Sequence, residues 1–198
     1  MLSGGWLLVA GAAVYFVAGY VIASRNPEVA GADAASAEGL RAIAANTRDW
    51  SLTVGSQIVA ILLTVGGFGA LAKGVDPRMR TAPTISAGVF AAGAALMLLY
   101  LGFHLFITPH PPNDYEMQRR RFASLYRVYL VAAYTAFAYL GSGIVVDHLL
   151  GASWIGWFLI VTGAVGLATA VVRRPAVANL PLWVHAIAGV LGAAIVLR

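Results

Sequence analysis

Six stretches of this 198-residue chain, 6–23, 51–71, 84–108, 125–150, 153–172 and 181–197, are apolar almost throughout. A helix of about 20 apolar residues crosses the roughly 30 Å hydrocarbon layer of a bilayer. Lipid offers no partner to backbone N–H and C=O groups, so segments of this length are predicted to span as helices, which satisfy those groups internally. The expected fold is an all-α polytopic membrane protein forming a single domain over 1–198. It is a bundle of about six transmembrane helices with an amphipathic interfacial helix between the first two. The sixth run is the shortest and contains a histidine, so the alternative is five spans with a re-entrant tail.

Composition points the same way. Hydrophobic residues make up 60% of the chain and charged ones 11%, against roughly 45–50% and about 25% in soluble domains. The net charge of +5 does not point to nucleic acid, because the arginines sit in short loops beside apolar runs, the usual topology signal. The first run is read as a retained helix: it lacks the basic flank of a signal peptide and exceeds the usual h-region of about 7–15 residues.

Basic residues set the expected orientation. The connections after runs one, three and five, with their flanks, carry Arg25, Arg41, Arg48, Arg119, Arg120, Arg121, Arg127, Arg173 and Arg174; the opposite side carries Lys73, Arg78, Arg80 and Arg198. By the positive-inside rule the odd-numbered connections are cytoplasmic and both termini lie on the non-cytoplasmic side.

Residues 34–50 differ from the rest. At 100° per residue, Leu40, Ile43, Ala44 and Thr47 share one face and Glu38, Arg41, Ala45, Arg48 and Asp49 the other, predicting an amphipathic helix. It is expected to lie on the headgroups and run into the second span at Trp50, or else to dock a partner or cap a cavity. The prolines of Pro109-His110-Pro111-Pro112 are expected to give the third connection a polyproline-like extension. Glycine and alanine recur at three- and four-residue spacings, as in Gly88 and Ala92 or Gly163 and Gly166, which suggests close helix approach. Most such contacts are expected within the chain, some in a homo-oligomer or larger membrane complex.

Ionisable groups inside a bilayer are costly and are functional candidates by default. His104 lies four residues before the end of the third run and His185 four residues into the sixth. Both ends face an odd-numbered connection, so the imidazoles are expected about 6 Å inside the membrane at equal depth. Two imidazoles so placed are one way to ligate a b-type haem; hydrogen bonds to neighbouring helices are the structural alternative. Gln57, His104 and His185 together mark a possible substrate path. Asp147 and His148 read as an interfacial helix end, and Tyr126, Tyr129, Tyr134 and Tyr139 as packing and anchoring residues. With no cysteine, thiolate metal sites and thiol nucleophiles are absent. The sequence also lacks a Walker loop, HExxH, GxSxG, paired intramembrane carboxylates and a lysine within any span, and no catalytic residue or metal site is assigned.

Three functions remain. The first is a non-enzymatic integral membrane subunit or accessory protein of a membrane complex. The second is a small-solute or ion transporter or channel. The third is a haem-b electron-transfer subunit using His104 and His185.

Overall fold

The computed structural model describes residues 1–30, 32–34, 36–151, 153–172 and 180–198, and these are helical with no strand. The helices are α1 (Leu2–Arg25), α2 (Pro27–Ala30), α3 (Ala37–Ala45), α4 (Thr47–Gly74), α5 (Thr81–Phe106), α6 (Tyr115–Val146), α7 (Ser153–Val172) and α8 (Leu180–Val196). By length and composition α1, α4, α5, α6 and α7 can each cross a membrane, and the stretch Pro181–Val196 is a shorter apolar helix. The chain is therefore an all-α membrane bundle. Arg173 and Arg174 lie outside the described residues.

Successive long helices pack side by side from α4 to α7, while α1 lies between α4 and α8. Helix α8 runs antiparallel along α1. His185 meets Tyr15 at its start, Gly189 meets Ala12, and a Cβ on Gly192 would come 2.6 Å from the Gly5 carbonyl oxygen. Met1 adjoins Gly74 and Arg198 adjoins Gly151, so both termini share one end of the bundle with the connections after α4 and α6. That end also holds Arg80, whose guanidinium donates to the carbonyls of Val75 and Lys73 at 3.1 Å each. This basic residue on the less basic side thus has a structural task, satisfying carbonyls at the end of α4.

The core is centred on Phe68, Phe90 and Phe137, with Phe68 and Phe90 stacked at 4.7 Å. Apolar residues also cover the outside: Leu62, Leu99 and Val165 are each more than half exposed. A water-soluble bundle would carry polar residues there.

Several sequence expectations need correction. Residues 34–50 do not form one helix. Ser36 caps α3, its hydroxyl accepting from the Gly39 N–H at 2.9 Å, and Asn46 ends it by turning both its N–H and its side-chain amide onto the Ala42 carbonyl. Thr47 to Trp50 then form the first turn of α4. Ile43 is fully buried, so the apolar face of α3 packs on protein rather than only on headgroups; Ala44, expected on that face, is exposed. Helix α6 starts ten residues before its apolar run. At 32 residues it is about 48 Å long, so its first turns project beyond a hydrocarbon layer of about 30 Å. It stops at Val146, and the chain turns through His148 at a φ of 50°. The proline-rich connection is turned rather than extended, with the His110 N–H on the Ile107 carbonyl and the Tyr115 N–H on that of Pro112. Gly163 is a close-approach site, but Gly88 is not: a Cβ there meets nothing within 4 Å.

Candidate functional site

A cavity of about 460 Å³ opens at the end of the bundle that bears the connections after α1 and α5. Five helices wall it: Tyr15 on α1; Trp50, Thr53 and Gln57 on α4; Met97, Tyr100 and His104 on α5; Arg119, Tyr126 and Arg127 on α6; and Pro181 on α8. Ala32, Asp33 and Ala34, between α2 and α3, complete the rim. Of the amphipathic segment 34–50, Ala34 and Trp50 line the cavity, and α3 itself does not.

The wall is built around His104. The residue is buried, 7% exposed. Nδ1 lies 3.1 Å from the Thr108 hydroxyl, one helical turn on. Its backbone carbonyl accepts from the Trp50 indole N–H at 2.8 Å. Tyr100 packs edge-on to the imidazole at 4.3 Å and against Tyr126 at 5.2 Å. With one ring nitrogen and the main chain thus fixed, Nε2 is buried and has no hydrogen-bond partner among the described residues. A buried polar atom left without a partner costs about 1–3 kcal/mol, and is explained if a ligand or water takes that position. Such a nitrogen can donate to or accept from a bound molecule, or ligate a metal, according to its tautomer.

Gln57 is half-buried and lines the same cavity. Counted from Thr47 it sits about 15 Å along α4, deep among apolar residues. The structure therefore brings Gln57 and His104 together. His185 is not among the described residues on the wall. It is 1% exposed, its Nδ1 has no partner among the described residues, and its ring stacks on Tyr15 at 4.3 Å; Tyr15 is the residue that reaches the cavity.

Charge gathers at the mouth. Arg119 makes a bidentate pair with Glu116, two contacts of 2.8 Å, and Arg120 joins the same carboxylate at 3.0 Å. Hydrogen bonds from these arginines hold the Glu116 carboxyl at about 2, well below the carboxylate range, and the same pairing raises Arg119. Both groups lie on the projecting turns of α6. Tyr115 donates to the Ala34 carbonyl at 3.0 Å and ties the rim to α6; its burial pushes the phenol up.

The sequence reading missed Tyr15, Asp33, Trp50, Thr53 and Tyr100 as site residues. Trp50, just before the second run, and Tyr100, one turn before His104, could have been grouped with the histidines by depth; Tyr15, mid-way along α1, carried no such signal.

No protein-family model, curated protein or solved structure matches the chain. The site stands on its own geometry.

Proposed function

We propose that this is a non-enzymatic, multi-pass membrane protein that binds a small solute in the cavity beside His104 and works as a carrier for it. The observation that carries this reading is a set of polar groups that line one cavity and have no partner among the described residues: the buried His104 Nε2, the half-buried Gln57 amide and the exposed Arg127 guanidinium. Apolar spans retain such groups at a cost, and ligand or ion paths are where that cost is met. The volume falls within the roughly 300–1,000 Å³ of small-molecule sites. Beyond the cavity the Phe68, Phe90 and Phe137 cluster fills the bundle, which suits a carrier open to one side at a time. We assign the open end to the cytoplasm on the distribution of arginines.

Thermal unfolding in uncharged detergent, screened against small solutes, tests the reading. A solute at about 100 times its Kd adds about 2.7 kcal/mol to stability. A hit should be lost in Gln57→Ala and His104→Ala and should cross proteoliposome membranes with the native protein. A screen without hits, or hits indifferent to both substitutions, would refute it.

A second reading, a subunit of a homo-oligomer or larger complex, draws on the outer face of α5, where Thr84, Gly88, Ala92 and Ala95 are exposed. Haem-b ligation by His104 and His185 ranks third. His104 offers a free nitrogen, but Tyr15 covers His185 on the cavity side.

A further inference from the structure

We infer that the ligand of this cavity is a small organic monoanion with a flat, unsaturated body, its anionic group held by Arg127. The inference rests on the solute-binding reading above and names the chemistry of the solute. Three charged side chains line the cavity: Asp33, Arg119 and Arg127. Arg119 is committed to Glu116 through both arms of its fork and also interacts with Asp33. Arg127 is exposed and makes no ion pair or hydrogen bond with the described residues, and the three lining side chains, two arginines and one aspartate, carry a net positive charge. A planar guanidinium matches a carboxylate or phosphate oxygen pair. That net charge favours an anion over a cation, and no cluster of three metal-ligating side chains occurs among the described residues.

The body of the ligand follows from the walls. Tyr15, Trp50, Tyr100 and Tyr126 come from four different helices and line one space. Such rings favour stacked or edge-on contact with a flat partner. Gln57 and His104 Nε2 add hydrogen-bonding positions on α4 and α5 for a polar substituent.

The chain has no cysteine, so single cysteines report the cavity directly. Gln57→Cys and, as a second position in the same wall, Thr53→Cys are each reacted in uncharged detergent with a sulfonatoethyl and a trimethylammonioethyl methanethiosulfonate. Each rate is divided by that reagent's rate with a small free thiol, and Leu62→Cys on the outer face of α4 is the unreactive control. One positive charge about 7 Å away across water changes a unit charge's energy by about RT, so the anionic reagent should be favoured roughly sevenfold. Arg127→Gln should abolish that preference, Arg127→Lys should keep it, and benzoate should slow both reagents.

Equal rates, or faster cationic labelling, would overturn the monoanion while leaving the cavity in place. A preference that survives Arg127→Gln would overturn the role of Arg127. Failure of both reagents at both positions would remove the cavity reading itself. Repeating the measurement in phosphatidylglycerol vesicles separates two sources of the anion. Slower labelling that Arg127→Gln relieves assigns the site to a lipid headgroup and overturns the flat-bodied solute; unchanged rates with benzoate protection support it.

Discussion

Replacing Gly163 with alanine should destabilise the bundle, whereas the same change at Gly88 should not. At Gly163 the new Cβ would lie 2.8 Å from the Ala138 nitrogen and the Tyr134 carbonyl oxygen and 2.9 Å from the Ala138 Cβ, against about 3.4 Å for ordinary contact. Two of these atoms are backbone, so no rotamer change relieves the overlap. Helices α6 and α7 must part by about 0.5 Å along a seam where Gly141 and Gly156 also touch each other's carbonyls. Overpacking of this kind costs about 1–3 kcal/mol. At Gly88 nothing lies within 4 Å. Alanine gains about 1 kcal/mol of helix propensity at either site, so the difference between the two variants isolates the clash. At roughly 2–4 °C per kcal/mol for a chain of this size, Gly163→Ala should melt about 2–12 °C below Gly88→Ala. Thermal unfolding in detergent, followed by circular dichroism, reads this directly. A Gly163→Ala melting point at or above that of Gly88→Ala would show that the α6–α7 seam is not close-packed in this way.

Two further outcomes follow from charge. For orientation, a cysteine at the exposed Ala37 should resist a membrane-impermeant thiol reagent in intact cells while one at the exposed Arg78 reacts; the reverse pattern would place the termini in the cytoplasm. For the projecting turns of α6, the Glu116 carboxyl should titrate near 2 by carbon NMR and move toward the usual value of about 4.3 in Arg119→Gln/Arg120→Gln. Because its folded value is depressed, the stability it contributes is present above the unfolded value and is lost as pH falls from there through about 2. A native titration near 4 would show that these pairs do not persist in solution.

The apolar runs alone located every long helix, because the requirement to fill about 30 Å of hydrocarbon is met locally, residue by residue. Where a helix was built from charged residues the same reading stopped short. Residues 115–124 are helical through pairs such as Glu116 with Arg119 and Arg120, which hydropathy does not register. Asn46 was legible as a potential break by its residue type, but only the Ala42 carbonyl receiving its two N–H groups made it one.

The site was half legible. Gln57 and His104 stood out because polar groups are rare in such spans, and the structure sets them on one wall. His185, equally conspicuous, is turned against Tyr15. Gly88 and Gly163 look alike in sequence, yet one faces open space and the other a backbone. The spans of this chain are apolar on every side, since lipid accepts what the core accepts, so no polar stripe records which face of a helix turns inward. The sequence by itself determined where the apolar helices lie and between which runs arginine gathers. The rotation of each helix, and with it the meeting of His104, Gln57 and Arg127 around one cavity, was decided by packing between helices, where glycines such as Gly5, Gly163 and Gly192 let backbones touch.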